Sequence, residues 1–460
     1  MSVKRLLATV AASAVVAIGL STVRPPIHAQ NGRGEHWVGT WATAVVARPQ
    51  GPQAALGFGA GVTPQCFGQA PAQTTATAPA QAALGPGGGR GQGGGRGGPP
   101  ATPINFNNQT LRQIVHTSLG GDRVRIVLSN AFGTSSLPVG AAHVALREKN
   151  AAIVAKSGRA LAFGGSPSVN IPPGATVVSD PISLTVPAFA DLAVDLYLPG
   201  DTAASGSPLT THGGALQTNY VSATGDHTGA ADMPEAATTA AWFFLARVEV
   251  AAPDQAGAVV TFGDSITDGT RSTPNTNNRW PDLLAKRLHA QKIKLGVLNQ
   301  GIAGNRVLGD GAGVSALARF DRDVLAQAGV THVIVLESIN DIGLARDSPC
   351  PTVRDLVAGQ AQLIERAHAR GLKIYGGTLL PFEGAAYYTV EGEAKRREFN
   401  EWVRSNKNYD GVVDFDAATR DPGAPTKLLP QYNSGDNLHL NDAGYQVMAN
   451  AVDLALLKKK

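Results

Sequence analysis

From residue 258 to the C-terminus, short apolar segments alternate with amphipathic ones, and this alternation restricts the fold more than any other feature of the chain. The continuous apolar segment at 330–337 suits a central strand of a parallel sheet. The amphipathic segments show helical spacing, as at Leu284 and Leu288. Alternating strands and helices form a parallel sheet covered on both faces, with sites beyond the carboxyl ends of the strands. The predicted strands are 259–262, 295–299, 330–337, 373–380 and 411–415, and the predicted helices are 278–290, 314–328, 352–370, 391–405 and 443–457.

The preceding residues show β patterns instead. Several segments alternate apolar and polar residues, and a tight turn is predicted at 120–122. Short strands at this spacing are typical of a sandwich or a jelly roll. We therefore predict a β-rich N-terminal domain at 30–250, a linker at 251–257 and an α/β domain at 258–460. The predicted strands of the β-rich domain are 37–44, 110–118, 123–130, 141–147, 190–198, 242–245 and 247–250.

Within the β-rich domain, residues 69–103 form a low-complexity insertion rich in Ala, Thr and Pro and then in Gly. Such a composition cannot bury a core, so we predict that the insertion is mobile. A role in nucleic-acid binding is disfavoured because the glycine runs contain only Arg90 and Arg96.

The N-terminus resembles an export signal. Lys4 and Arg5 are followed by an apolar stretch at 6–23, and 27–29 resembles a cleavage site. An uncleaved anchor is the alternative, since the stretch approaches the lower limit of a membrane span. Its Gly, Ser and Thr content favours a cleaved signal at 1–29 and a secreted or periplasmic protein.

The formal charge of +4 falls to +1 once Lys4, Arg5 and Arg24 are removed with the signal. This small charge does not steer the chain toward nucleic acid or an anionic membrane. We therefore expect no nucleic-acid partner and no stable membrane insertion after cleavage. The oligomeric state is left open.

The chain has two cysteines, Cys66 and Cys350. In an exported protein an even number suggests a disulfide, which here would tie the β-rich half to a loop of the α/β half. Two unpaired thiols are the alternative. A zinc site is disfavoured because neither cysteine has a Cys or His neighbour at ligand spacing.

Ser265 follows a predicted strand, and Asp436 and His439 lie far downstream. A serine becomes a nucleophile at neutral pH only beside a base, and that base needs a third group to orient it. These three residues are therefore the minimal set for serine-based acyl transfer. The Gly-x-Ser-x-Gly elbow of the α/β-hydrolases is absent around Ser265, which argues against that fold.

Four separated motifs resemble the SGNH (GDSL-type) hydrolases, a family of esterases and acylhydrolases. The motifs are Gly-Asp-Ser-Ile at 263–266, Asn-Gln-Gly-Ile-Ala-Gly-Asn at 299–305, Ser-Ile-Asn-Asp at 338–341 and Asp-x-x-His at 436–439. The resemblance implies a three-layer, flavodoxin-like α/β fold for the C-terminal domain. Each motif alone is weak, but all four occur in order.

The resemblance also implies the site. Ser265 would be the nucleophile, His439 its base and Asp436 the residue that orients His439. The backbone N–H groups of Ser265 and Gly304 and the side-chain amide of Asn340 would form the oxyanion hole. Glycine allows close approach of a backbone N–H, and one such donor contributes roughly 3 to 4 kcal/mol in the transition state.

Ser338 departs from the motif, because the third motif of the family usually has glycine at this position. If the residue packs against a neighbouring loop, its hydroxymethyl group would displace Asn340 slightly.

Other polar residues have structural interpretations. Asp264 and Asp268 flank a predicted turn, and Asn441 or Asp442 is expected to cap the last helix. Histidines outside the motif are expected to be structural, with contact to substrate left open for two that we place in loops. The structural ones are His116 and His332, and those placed in loops are His212 and His227.

Two other classes of function are considered. The first is metal chemistry with Asp264, Asp268, Asp436 and His439 as ligands. The second is a glycan-binding protein whose hydrolase domain has decayed, which the intact Ser, His and Asp disfavour. Loss of acyl transfer in a folded Ser265→Ala variant would be expected of the serine enzyme alone.

The substrate is less determined than the chemistry. The two-domain arrangement resembles the arylesterase and acetylxylan-esterase-like branch of the family, which implies removal of small acyl groups, chiefly acetyl, from polysaccharides or aryl esters. A lipase or acylhydrolase of broader range is the alternative. Trp37, Trp41 and Trp242 are candidates for sugar stacking, but a place in the core is favoured for each. No metal or organic cofactor is implied.

Overall fold

The computed structural model describes residues 35–50, 105–345 and 349–458. The predicted signal at 1–29, the low-complexity insertion at 69–103 and Cys66 lie outside these residues. Cys350 is disulfide-bonded. Its predicted pairing with Cys66 stays a prediction.

The N-terminal half is β-rich, with antiparallel pairing throughout the described part. Its strands are β1 (His36–Ala42), β2 (Val46–Arg48), β3 (Asn107–His116), β4 (Gly121–Ser129), β5 (Leu137–Val139), β6 (Ala141–Lys149), β7 (Ala152–Ile153), β8 (Arg159–Ala160), β9 (Val169–Ile171), β10 (Thr176–Val178), β11 (Ile182–Val186), β12 (Asp191–Asp201), β13 (Leu209–Gly213), β14 (Asn219–Thr224), β15 (Glu235–Thr239), β16 (Ala241–Phe243) and β17 (Leu245–Ala252).

Two larger sheets build this half. One has the order β1-β17-β4-β10 with β11 also on β4, and the other has the order β15-β14-β3-β12-β6-β7 with β8 on β6. Leu111 of β3 and Val194 of β12 share one buried core with Ile126 of β4 and Val248 of β17. The two sheets therefore bury their apolar faces against each other. A third sheet, β16-β13-β2, becomes important at the candidate site.

The C-terminal half alternates strands and helices as predicted. Its elements are β18 (Gly257–Gly263), α1 (Ser265–Asp268), α2 (Trp280–Ala290), β19 (Leu295–Gly301), α3 (Ala316–Phe320), a π-helical segment (Asp321–Leu325), β20 (Val330–Leu336), α4 (Ile339–Gly343), α5 (Val353–His368), β21 (Lys373–Gly377), α6 (Val390–Ser405), β22 (Gly411–Val413), α7 (Phe415–Thr419), β23 (Arg420–Asp421), β24 (Ala424–Leu428), a 3₁₀ turn (Pro430–Tyr432), α8 (Asp442–Ala451) and a second 3₁₀ turn (Leu454–Leu457).

The predicted parallel sheet is confirmed. Its strand order is β19-β18-β20-β21-β22, with β18 paired to β19 on one side and to β20 on the other. Counted within this half the order is 2-1-3-4-5, which is the flavodoxin-like arrangement. Strand β18 is buried along its whole length, as expected of a strand covered on both faces. The strand order reverses at β18, and in open α/β sheets the expected place for a site is beyond the carboxyl end of such a strand.

Two helix predictions are wrong in length. The helix expected at 314–328 begins at Ala316, because the Ser315 side chain accepts a hydrogen bond from the N–H of Ala318, and it turns π-helical at Asp321. The helix expected at 443–457 ends at Ala451, and Asp453 caps a separate 3₁₀ turn. The short helices α1, α4 and α7 were not predicted, since four or five residues carry no helical periodicity.

The β-rich half packs directly on the parallel sheet, and the described residues of both halves belong to one compact unit. Val38 of β1 lies in the core that surrounds the parallel sheet. Ser118 Oγ accepts a hydrogen bond of 2.9 Å from the N–H of Val297 in β19. Between β17 and β18 there are only residues 253–256. The domain boundaries proposed from the sequence stay a prediction.

Gly296 allows this close packing, because a Cβ there would overlap the carbonyl oxygen of Gly39 in β1. We expect Gly296→Ala to lower the free energy of unfolding by about 1–3 kcal/mol through overpacking. Chemical denaturation would measure the change. Gly200→Ala is the control, since a Cβ at Gly200 meets no atom within 4 Å. Equal stability of both variants would contradict a tight contact between β1 and β19.

Candidate active site

The motif residues converge beyond the carboxyl end of β18. Ser265 follows β18 directly, Gly304 lies in the loop after β19, and Asn340 lies in α4 after β20. Because β19, β18 and β20 are adjacent, the segments that follow them meet beyond the same edge of the sheet, where the strand order reverses. The sheet thus brings together Ser265, Gly304 and Asn340, which are separated by up to 75 positions in the sequence.

Ser265 is held on a tight turn from strand to helix. Asp264 caps α1, its Oδ1 accepting a hydrogen bond of 2.9 Å from the N–H of Ile266, so its expected structural role is confirmed. A Cβ at Gly263 would overlap Thr267 Oγ1 and the carbonyl oxygen of Leu336. Glycine at 263 is therefore required for the strand to turn into α1 beside β20.

His439 reaches this serine from the loop before α8. Its Nε2 lies 2.8 Å from Ser265 Oγ, and its Nδ1 lies 2.8 Å from Asp436 Oδ2. Asp436 Oδ1 accepts the backbone N–H groups of Leu438 at 3.1 Å and His439 at 2.8 Å. The structure therefore brings Ser265, His439 and Asp436 into one hydrogen-bonded chain.

The charge of Asp436 is well stabilised. Burial by itself raises the pKa of this carboxyl, but hydrogen bonds from the His439 side chain and backbone outweigh burial and hold the pKa far below its usual range. Asp436 is consequently a carboxylate at neutral pH. An ionised acceptor at Nδ1 keeps the proton on that nitrogen and leaves Nε2 free to accept the Ser265 hydroxyl.

The three donors predicted for the oxyanion hole each have a hydrogen that is not engaged within the described structure. As the first residue of α1, Ser265 has an N–H without an intrahelical acceptor. Gly304 has φ +79°, and within the described part of the chain its N–H has no hydrogen-bond acceptor. Asn340 Nδ2 donates one hydrogen to Asn305 O at 3.0 Å, which leaves its second hydrogen available.

Tyr387 orients the Asn340 amide, and the sequence analysis missed this residue. Its hydroxyl donates to Asn340 Oδ1 at 3.4 Å. Burial raises the pKa of Tyr387 well above its usual value, so the phenol keeps the proton that it donates. With Oδ1 engaged by this donor and Nδ2 by Asn305, the amide is fixed at both ends.

Ser338 occupies a position that favours glycine because of its backbone. Its φ is +112°, a value that L-residues rarely adopt. Its Oγ accepts a hydrogen bond of 3.3 Å from Gln360 Nε2. Asn340 nevertheless retains its hydrogen bonds to Asn305 and Tyr387. The unfavourable effect of a serine at position 338 on stability therefore comes from its backbone conformation.

A buried carboxyl cluster, Asp264, Glu337 and Asp341, lies behind the motif residues and could not be recognised from sequence spacing. Burial raises the pKa of Asp264 to about 7 and that of Asp341 to about 6, and it raises the pKa of Glu337 as well. The buried Arg319 is the cation of this cluster, with Nη2 3.3 Å from Glu337 Oε1. Asp264 Oδ2 and Glu337 Oε2 have no hydrogen-bond partner in the described structure.

For polar residues outside the motifs, the predictions from the sequence are partly wrong. His212 lies in β13 and not in a loop, and its Nε2 contacts Asp268 Oδ1 at 3.0 Å, a pair that the sequence did not suggest. His116 pairs with Asp191 at 2.7 Å, in keeping with its structural interpretation. Asn441 caps α8 as expected.

The tryptophans differ in exposure. Trp41 and Trp242 are buried and pack edge to face, with ring centroids 5.0 Å apart, so a place in the core is confirmed for both. Trp37 carries the Arg125 guanidinium 4.4 Å above its ring.

The residues considered as metal ligands are used otherwise. Asp268 binds His212, and Asp436 binds His439. Across the described ranges, no group of three or more His, Cys, Asp or Glu side chains is arranged to hold a metal ion.

Comparison with known families adds to this geometry. Residues 261–447 match the model of the GDSL-like Lipase/Acylhydrolase family. This part of the chain is a GDSL-like lipase/acylhydrolase domain. The resemblance seen in the motifs is therefore confirmed for this part of the chain, which is a serine hydrolase domain of the GDSL (SGNH) type. No curated protein matches the chain.

Several solved structures resemble less than half of this chain. A G-D-S-L family protein from Desulfitobacterium hafniense DCB-2 is 23% identical with a TM-score of 0.34 and covers 42% of this chain and 96% of its own. A GDSL-like lipase from Bacteroides thetaiotaomicron VPI-5482 is 19% identical with a TM-score of 0.33 and covers 44% and 87%. An acetylxylan esterase from Geobacillus stearothermophilus is 21% identical with a TM-score of 0.34 and covers 45% and 97%.

None of the helices in the described ranges is both long enough and apolar enough to cross a membrane.

The strained backbone at Ser338 can be tested by substitution. We expect Ser338→Gly to raise the free energy of unfolding by about 1 kcal/mol, since relief of the positive φ exceeds the loss of the Gln360 hydrogen bond. Denaturant unfolding of wild type and variant would measure it. Ser405→Gly at the exposed end of α6 is the control and should destabilise. A Ser338→Gly protein less stable than wild type would contradict backbone strain at this site.

The buried proton of Asp264 predicts a pH dependence of stability. Its folded pKa of about 7 lies above the ordinary value of 3.8, so the stabilisation from binding this proton is complete below about pH 4 and is lost as pH rises through 7. We expect Asp264→Asn, which keeps an acceptor for Ile266, to gain stability relative to wild type between pH 5 and pH 8. The free energies of unfolding of both proteins, measured at pH 5 and at pH 8, would show this gain. A constant difference between the two proteins would contradict the protonated carboxyl.

Proposed function

We propose that the protein is an exported serine esterase that removes small acyl groups, chiefly acetyl, from carbohydrate or aryl esters. The observation that carries the mechanism is the chain from Ser265 Oγ through His439 to Asp436, with both links 2.8 Å long. In this proposal Ser265 is the nucleophile, His439 the general base and acid, and Asp436 the residue that orients His439. No cofactor takes part.

In the first half-reaction, His439 Nε2 removes the hydroxyl proton as Ser265 Oγ attacks the ester carbonyl carbon. Negative charge develops on the carbonyl oxygen, which accepts hydrogen bonds from the N–H groups of Ser265 and Gly304 and from Asn340 Nδ2. The imidazolium of His439 is stabilised by the Asp436 carboxylate. The alcohol then leaves with the proton of His439, and the acyl group stays on Ser265.

In the second half-reaction, water takes the place of the alcohol. His439 removes a proton from the water as its oxygen attacks the acyl carbon, and the same three donors stabilise the charge. Collapse returns the proton to Ser265 Oγ and releases the carboxylic acid.

The preference for acetyl rests on the resemblance of the two-domain chain to arylesterase and acetylxylan-esterase-like members of the family, which is an associational argument. An acetylxylan esterase is among the solved structures that resemble part of this chain, and acetylated xylan is therefore the first polymer to assay. A lipase or acylhydrolase of broader acyl range is the second candidate. We further propose that the apolar N-terminal stretch is a cleaved signal and that the enzyme acts outside the cytoplasm.

The test is hydrolysis of p-nitrophenyl esters from acetyl to long acyl, together with acetate release from acetylated xylan. We expect the wild type to favour acetyl, and Ser265→Ala to lose at least about a thousandfold in kcat/KM while folding normally. Ser405→Ala, which removes an exposed hydroxyl at the end of α6, is the matched control and should retain full activity.

Equal activity of a folded Ser265→Ala protein would contradict the serine mechanism. A wild type that prefers long acyl chains and releases no acetate from xylan would support the broader acylhydrolase instead.

A further inference from the structure

His212 presents both ring nitrogens to acceptors. Nδ1 lies 2.7 Å from the carbonyl oxygen of Ala44, and Nε2 lies 3.0 Å from Asp268 Oδ1. A carbonyl oxygen only accepts hydrogen bonds, so Nδ1 carries a proton. An ionised carboxylate also only accepts, so Nε2 carries a second proton. This geometry is that of an imidazolium paired with a carboxylate.

The pair is buried, with side-chain exposures of 4% for His212 and 8% for Asp268. Trp242 lies against the imidazole at 5.7 Å between ring centroids. Water therefore contributes little to either charge, and each depends on the other. Burial lowers the pKa of His212, but the charge and hydrogen bond of Asp268 and the bond to Ala44 outweigh burial and leave the pKa raised.

The other titratable groups around the pair are few. The Arg279 guanidinium lies 5.7 Å above Trp242 and opposes a positive charge on His212. Tyr445 faces Asp268 from α8 and donates its hydroxyl to Thr270 O at 2.6 Å. His116 and Asp282 line a small cavity beside Asp268. Among these groups, Asp268 makes the direct contact with the His212 ring.

Asp268 is the last residue of α1, the four-residue helix that begins at Ser265. A Cβ at Gly301 would overlap the Asp268 backbone, so α1 lies directly on the end of β19. Asn299 Nδ2 holds the helix through Thr267 O at 2.9 Å. The His212 contact comes from the β-rich half and restrains the C-terminal end of α1 through a removable proton, whereas the titratable Asp264 caps the N-terminal end.

We propose that His212 is a positioning residue of the esterase: as an imidazolium it holds Asp268 and thereby α1 in the orientation that presents Ser265 to His439. The proposal rests on the proposed function, because Ser265 is the nucleophile there. Loss of the proton leaves a buried carboxylate without its cation, which is costly, and α1 relaxes. The β-rich half would in this way set the alkaline limit of activity.

The proposal predicts how the activity depends on pH. The stabilising charge of the pair is fully present below about pH 6.5, the ordinary pKa of histidine, and is lost as pH rises through the raised value in the folded protein. Protonation of His439 removes the base at acid pH. We expect a bell-shaped profile of kcat/KM for wild type with p-nitrophenyl acetate, with its alkaline limb set by His212.

His212→Gln is the test variant, because its amide supplies one donor to Asp268 but carries no charge and does not titrate. We expect its kcat/KM at pH 7 to fall about tenfold through kcat with little change in KM, and its profile to lose the alkaline limb while it keeps the acid limb. His227→Gln in the same half is the control and should follow wild type. An unchanged alkaline limb in folded His212→Gln overturns the proposal.

A second measurement does not depend on activity. Ring ¹⁵N and ¹H spectra of histidine-labelled wild type, with the His212 signal assigned by its absence in His212→Gln, should show both nitrogens protonated at pH 7. In Asp268→Asn, which keeps the side chain's shape, His212 should be neutral at pH 7. A neutral His212 in wild type, or an unchanged imidazolium in Asp268→Asn, overturns the proposal even if His212→Gln fails to fold. Failure of the proposed function would appear separately, as activity retained by Ser265→Ala.

Discussion

The buried guanidinium of Arg319 joins the strand ends on which the candidate site is built. It donates to Gly263 O at 2.9 Å, to Gln300 O at 2.7 Å and to Asn305 Oδ1 at 2.8 Å. These acceptors belong to the ends of β18 and β19 and to the loop after β19. Its plane also lies 4.0 Å from the Phe262 ring. A planar group with five fixed donors can hold several backbone segments at once, which a lysine could not do.

Two of these segments lead straight to the reacting groups. Gly263 precedes Ser265 by two residues, and Asn305 accepts the hydrogen bond of Asn340. Arg319 is also the cation for Glu337, so the buried carboxyl cluster and the candidate oxyanion donors share one support. The Arg319 side chain is buried away from water. Its positive charge is stabilised by the nearby Glu337 and Asp323 side chains. Removal of the guanidinium would leave these carboxylates and carbonyls unsatisfied together.

The β-rich half contributes to the same region from the opposite side. Strand β1 packs on β19, and β13 carries His212 to the C-terminal end of α1. Ser265 is thus positioned by the parallel sheet and, in the proposal made above, also by the β-rich half through the His212–Asp268 pair. That role of the β-rich half does not depend on carbohydrate binding.

The regular strands and helices were largely predictable, because the pattern of apolar residues that indicates each of them lies within the element itself. The run at 330–337 matches β20 within one residue, and the apolar spacing before Ala290 matches the end of α2. The π-helical turn at Asp321 and the break before Asp453 were not predictable, since hydrogen bonding and capping within the fold decide where such helices change. The motif at 338–341 did indicate Asn340, but its spacing could not reveal that Ser338 sits at a positive φ.

The sequence by itself determined the chemistry available to this protein: a serine, a histidine and an aspartate in ordered motifs, on a chain patterned for a parallel sheet. Only the tertiary structure decided which groups support them. Arg319, Tyr387, Glu337 and the His212–Asp268 pair lie in different elements and share no spacing that a pattern could detect. Their roles arise from burial, because a charge or an amide removed from water takes its properties from whichever neighbours the fold places against it.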